Sequence, residues 1–114
     1  MTRKNIHEKT LESIINLPSI IEEDLKDINF IFKEPIWLHH NSNDKQKMCD
    51  LIIGYKNHAI PVEIKGTENY RHKALMQVEQ GKKFIKNELG LFVPYGKIVY
   101  YAVDKCQIYF ETIS

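Results

Sequence analysis

The chain has 114 residues, 43% of them hydrophobic, and a formal net charge of +1. That composition fits one compact domain spanning 1–114 and argues against disordered, collagen-like and coiled-coil classes. The longest uninterrupted hydrophobic run, Ile98 to Val103, has six residues, whereas a bilayer span needs about 18. The opening MTRKNIHEKT has no apolar signal core, so a cytoplasmic protein with no membrane partner is expected. Cys49 and Cys106 lack metal-type spacing and are expected to be free thiols in a reducing compartment. Charge is unevenly distributed: residues 1–34 hold five Lys/Arg against seven Asp/Glu, and residues 65–86 hold six Lys/Arg against two Glu.

Along the chain, Thr10 to Ile15 begins a helical pattern that Asn16 and Pro18 interrupt, and Ser19 to Leu25 resumes it, giving two short helices. Ile28 to His40 (INFIFKEPIWLHH) is aromatic and β-branched and reads as the first strand, with Pro35 predicting an edge or a break into two pieces. Asn41 to Lys47 has no apolar residue and reads as a loop. Cys49 to Tyr55 and Ala59 to Lys65 read as a hairpin, with Asn57 taking the positive φ of the turn. Centring the turn between Asn57 and His58 pairs Ile52 with Glu63, Gly54 with Pro61 and Asp50 with Lys65. Because Pro61 has no N–H to donate, a four-residue loop is favoured.

A long helix is predicted over Tyr70 to Leu89, with Gly90 as its C-terminal cap and Ala74, Val78, Gly81, Ile85 and Leu89 as its inward stripe. Two final strands, Lys97 to Val103 and Cys106 to Thr112, meet around Asp104-Lys105. The order ααβββαββ places the chain in the α/β class, with a mixed sheet of about five strands flanked by helices. The last pair is rich in Tyr and Ile and poor in charge, an edge that proteins tend to cover, so a homodimer is expected.

Side chains alternate along a strand, so Asp50, Ile52, Glu63 and Lys65 share one hairpin face while Leu51, Ile53, Val62 and Ile64 make the other apolar. The charged face is therefore expected to look toward a cleft or solvent. Two carboxylates converging there offer hard oxygen ligands to Mg²⁺ or Mn²⁺, ions that keep waters and bind substrate phosphate. A lysine beside them can orient the attacking water, which together make a set suited to phosphodiester hydrolysis. The structural alternative is a salt-bridged patch in which Lys65 neutralises Asp50. The other histidines singled out are read as less functional: the pair His39-His40 as strand-end residues, and His72 as a surface residue that could contact phosphate.

Asp50 followed by Glu63-Ile64-Lys65 resembles the signature of the PD-(D/E)xK nuclease superfamily, an acidic residue on one strand and Glu-x-Lys on the next. Met48-Cys49 stand where the signature has its proline. Leu11-Glu12 with the following NLPSIIE, and Gln80-Gly81-Lys82-Lys83-Phe84 after the Glu-x-Lys strand, are similar to segments of the RecB-like and NucS-like branch. The resemblance implies a restriction-endonuclease-like core and a magnesium-dependent deoxyribonuclease, endonuclease or exonuclease. It implies Asp50, Glu63 and the Ile64 carbonyl as metal ligands, with Lys65 positioning the water. Glu12, with Glu8 as its alternative, would act through a metal-bound water or through Lys65. Gln80, with Gln77 as its alternative, would touch the phosphate or hold Lys65. Arg71, Lys73, Gln77, Lys82 and Lys83 on the basic helix are the expected DNA-binding residues. A catalytically inactive nuclease-fold protein that binds nucleic acid or a partner protein is the second expectation.

Overall fold

In the computed structural model, residues 3–38, 45–66, 68–102 and 107–114 are described. The histidine pair at 39 and 40, the 41–44 stretch, Cys106 and the Asp104-Lys105 connection lie outside them. The N-terminal helix α1 runs over Arg3–Asn16, seven residues earlier than its sequence pattern suggests. It turns Leu11 and Ile14 inward. Leu17 ends it with an extended backbone (φ −147°, ψ 77°), as the clash with the Pro18 ring demands. The second helix expected over 19–25 is instead two short 3-10 turns, Pro18–Ile20 and Glu23–Lys26, whose Ile21 and Leu25 are buried.

The aromatic segment that follows divides into β1 (Phe30–Lys33) and β2 (Ile36–Leu38). The break is at Glu34, whose φ is +50°, followed by Pro35. The segment read as loop is partly a strand, β3 (Lys45–Lys47), which pairs with β2 in a separate two-stranded ribbon. The hairpin strands are β4 (Leu51–Tyr55) and β5 (His58–Lys65). A helix α2 (Arg71–Phe84) continues through a π turn, Ile85–Leu89, to Gly90 at φ +65°, the left-handed cap that glycine adopts at little cost. Strands β6 (Gly96–Ala102) and β7 (Gln107–Ile113) complete the fold.

The main sheet has the order β1-β4-β5-β6-β7, with only the β5–β6 pair parallel, as a crossover through α2 requires. The β4–β5 register is shifted two residues from the expected one. Ile52 faces Pro61 and Tyr55 faces His58, so the turn is the two-residue Lys56-Asn57, and Lys56, not Asn57, holds the positive φ of +52°. Pro61 fits because it lies just ahead of Val62, where pairing to β6 begins, so its missing N–H leaves no ladder bond unmade. A two-residue shift leaves every side chain on its predicted face.

One face, formed by Leu51, Ile53, Ile60, Val62, Ile64, Val99 and Tyr101, packs on Leu11, Ile14, Ile21 and Leu25. The opposite face is covered by α2, with Ile52 and Ala59 grouped with Ile85, and Ile98 and Tyr100 with Ala74 and Val78. A β-carbon on Gly81 would stand 2.7 Å from Pro61 Cβ and 2.9 Å from Cys49 Sγ, which sets how closely α2 lies on the sheet. No helix among the described residues is long and apolar enough to cross a membrane.

Candidate active site

The charged face of the hairpin is not a solvent face. Asp50 is 2% exposed and Glu63 1%, and two buried acids on one sheet need compensation, because desolvating each ion costs several kcal/mol. Asp50 stands in the bend that leads into β4, one residue beyond the Leu51–Val62 pair and so across from Glu63. Its Oδ2 accepts the Ile64 amide hydrogen at 2.8 Å. The carboxylate thus takes the place of the next backbone acceptor in the ladder. In a strand the N–H and C=O of one residue point to the same edge, so the Ile64 carbonyl is directed to the edge that holds Asp50. Backbone from a third element also converges here, since the Glu34 amide donates to the Asp50 carbonyl at 2.7 Å.

A second donor to Asp50 is His7 of α1, whose Nε2 lies 3.3 Å from Oδ2. A carboxylate can only accept, so Nε2 carries the hydrogen. Burial alone raises the Asp50 pKa. Hydrogen bonds from His7, from the Glu63 side chain and from the Ile64 amide outweigh it and hold Asp50 at about 2. Lys65 Nζ lies 3.6 Å from Glu63 Oε2 and the residue is 23% exposed, which puts the cation at the mouth of the Asp50–Glu63 pair. Lys65 therefore pairs with Glu63, not with Asp50 as the register expected from the sequence had suggested. Cys49 lines the same buried wall. Its thiol is pushed well above the usual range by burial, then by the Glu63 and Asp50 charges, and its Sγ donates to the Leu51 carbonyl at 3.1 Å.

The other predicted site residues are placed as follows. Glu12 and Glu8 converge on Lys33, at 3.5 and 3.9 Å, in a half-exposed cluster on α1 and β1. Of the two glutamines, Gln77 reaches the entry to β4, its Nε2 contacting the Met48 carbonyl at 3.5 Å while its Oε1 is buried with no hydrogen-bond partner among the described residues. Gln80 lies nearly one turn further along α2, half-buried. On the basic helix, Lys73 and Lys83 are exposed. Arg71 is engaged by Glu111, its Nε 2.9 and 3.0 Å from the two carboxylate oxygens, and Lys82 by Glu79 at 3.3 Å and by the Ser114 carbonyl at 2.9 Å.

His7 is the neighbour of Asp50 that the sequence reading missed, although a signal existed. His7, Leu11 and Ile14 follow i, i+4, i+7 spacing, the stripe of a core-facing helix, so a polar side chain at its start points inward. Glu8 and Glu12 are each one position off that stripe. Lys97 was also missed. It is 1% exposed and held by Glu22 Oε2 at 3.1 Å and Thr112 Oγ1 at 2.6 Å, on the sheet face away from Asp50.

Among the described residues there is no group of three or more His, Cys, Asp or Glu side chains arranged to hold a metal ion. The donors at this site are two carboxyls and a backbone carbonyl, an all-oxygen set of the kind a hard divalent cation takes when water and substrate complete its shell. No family model, no curated protein and no solved structure matches the chain.

Proposed function

We propose that this chain is a metal-dependent nuclease that hydrolyses phosphodiester bonds in DNA, with a PD-(D/E)xK-type site. One observation carries the reading: two carboxyls, Asp50 and Glu63, are buried side by side at the junction of β4 and β5, with the Lys65 ammonium on the open side of Glu63. Two adjacent buried acids cost more desolvation than a single structural ion pair, a cost that a cation held between them would offset. The element order supports the same reading: a helix, three antiparallel strands, a helix and a parallel strand. A restriction-endonuclease-like core has that order.

Asp50, Glu63 and the Ile64 carbonyl would hold Mg²⁺ or Mn²⁺. When bound, such an ion supplies charge stabilisation at the scissile phosphate and a more acidic water. Lys65 orients the attacking water and offsets charge building on the phosphate oxygens. His7 and the Ile64 amide fix the Asp50 carboxylate before substrate arrives, so little ordering cost remains for the reaction step. Gln77 is the better placed of the two glutamines to meet the substrate phosphate or hold Lys65. Lys73 and Lys83 offer backbone charge contacts that carry no sequence information. DNA and a second copy of the chain are the partners proposed, and the cytoplasm is the proposed location.

The test is cleavage of a panel of single-stranded, duplex, branched and flap DNAs across a Mg²⁺ or Mn²⁺ titration, with wild type beside Glu63→Ala. The expected result is metal-dependent cleavage by wild type alone. Equal cleavage by both proteins overturns the assignment. A second reading, a nuclease-fold protein that binds nucleic acid or a partner without cutting, is favoured by one observation: His7 and the Ile64 amide already partner Asp50, and Lys65 already partners Glu63, with no metal ion. Calorimetry with no Mg²⁺ binding, and DNA affinity that falls steeply with salt, would support it.

A further inference from the structure

The outermost strand on one side of the main sheet is β7, and no strand among the described residues pairs with its outer edge. Its central residues are large, apolar and open to solvent: Ile108 and Tyr109 are exposed, and Phe110 is 47% exposed. Edges left to solvent are usually protected by lysine, proline, a bulge or shortness. Over Gln107–Ile113 there is no lysine and no proline, and all seven residues pair in unbroken register with β6, so there is no bulge either. The strand's one charge, Glu111, is already taken up within the chain by Arg71 and by the Tyr100 hydroxyl.

We infer that β7 is the surface by which two copies of this chain join, antiparallel and edge to edge, about a two-fold axis at Phe110. The sequence of the strand selects this occupant and this register. Phe110 is the midpoint of Gln107–Ile113, so an axis there pairs every residue of the strand, Gln107 with Ile113 and Ile108 with Thr112, and no other register pairs them all. It sets Phe110 against its own copy, an aromatic cross-strand pair of the stabilising kind. It also sets each Glu111 opposite Tyr109 of the other copy, so the strand's one charge does not face itself across the axis. Moving the axis one residue toward the C-terminus would oppose the two Glu111 carboxylates, which like-charge repulsion disfavours. The interface is isologous, as a closed dimer requires. The Asp50–Glu63 site is not on this edge: Glu63 pairs with Ile98 of β6 and Ile98 with Glu111, so a whole strand stands between Glu63 and β7.

Sedimentation of the full chain at high micromolar concentration tests the association, with twice the 13.5 kDa chain mass expected for wild type. Phe110→Glu, which places a carboxylate beside the Lys97 ammonium within its own chain but like charges across the axis, should remain folded by circular dichroism and sediment as a monomer. Cysteine cross-linking in a Cys106→Ser background tests the register, since Cys49 is buried. Phe110→Cys should form a disulfide dimer with itself. Ile113→Cys should not, because the two copies of that position stand about 20 Å apart along the strands, yet it should cross-link to a Gln107→Cys partner. A wild-type monomer, or equal cross-linking at positions 110 and 113, overturns the inference. Loss of cleavage without loss of the dimer would count against the nuclease reading alone.

Discussion

At Lys65 a single substitution separates chemistry from charge pairing. Lysine presents a compact ammonium on a flexible stem, whereas arginine presents a planar fork. The ion pair with Glu63 at 3.6 Å tolerates either shape, but one positioned water at the mouth of the site does not. Lys65→Arg is expected to fold and to keep Mg²⁺ and DNA binding, while single-turnover cleavage falls by about 10², the scale of a lost proton-transfer or positioning group. Wild-type cleavage by Lys65→Arg would remove the chemical role. Asp50 carries a different signature, in acid. Its folded pKa of about 2 lies below the ordinary 3.8, so the folded state binds its proton later than the unfolded chain does. Its contribution to stability is complete above the ordinary value and disappears as pH falls from there toward the folded value. Denaturant midpoints measured from neutral pH down to the acid limit should drop through that window in wild type. They should drop less in Asp50→Asn, which starts from a lower stability because a buried acceptor of the Ile64 amide has changed.

Among the elements, the close fit of α2 to the sheet rests on Gly81. An alanine there needs a β-carbon 2.7 Å from Pro61 Cβ, and neither a proline ring nor a buried strand yields easily. Gly81→Ala gains about 1 kcal/mol of helix propensity but must lift the helix, a strain of about 1–3 kcal/mol. The expected outcome is a lower urea midpoint, with Lys83→Ala at an exposed position of the same helix as a neutral control. The same elements separate what the sequence made legible from what it hid. Alternation along β4 and β5 correctly assigned Leu51, Ile53, Val62 and Ile64 to one face and Asp50, Glu63 and Lys65 to the other. The register escaped because the turn puts a lysine, Lys56, in a left-handed conformation where Asn57 was the better candidate by residue type. The burial of the acids escaped as well. Nothing local to the hairpin reveals that α2 covers that face, although the stripe Ala74, Val78, Gly81 and Ile85 did predict what α2 buries. The second helix failed for a physical reason: Pro18 and an extended Leu17 leave room for only single 3-10 turns. The split of the aromatic segment at Pro35 was legible; the pairing of its second half with 45–47 was not, because a three-residue polar strand carries no hydrophobic signal.

For the molecule as a whole, both sheet faces hold charges, and the face away from Asp50 is closed by a buried cation. Lys97 at the start of β6 joins three parts of the chain. Glu22 comes from the segment after α1, Thr112 from β7, and the rings of Tyr95 and Phe110 lie 5.3 and 4.5 Å from its Nζ. The two members of the Lys97–Glu22 pair differ in what their loss leaves behind. Lys97 is 1% exposed and Glu22 34%, so a stranded Glu22 can turn to water while a stranded Lys97 cannot. Removing one partner of a buried pair is costly mainly because it abandons the other charge in a low-dielectric interior. Glu22→Ala should therefore destabilise the fold more than Lys97→Met, even though both delete the same ion pair. The expected gap is about 1–2 kcal/mol, less than the full 3–5 of an isolated buried charge because Thr112 and two aromatic faces still support the ammonium. Urea unfolding of both single variants and the double variant tests it. In Glu22→Ala/Lys97→Met the stranded charge is gone, so the double variant should recover most of what Glu22→Ala loses. If Lys97→Met proves the more damaging change, the side chain is held for its packing across β6 and β7 and not for its charge.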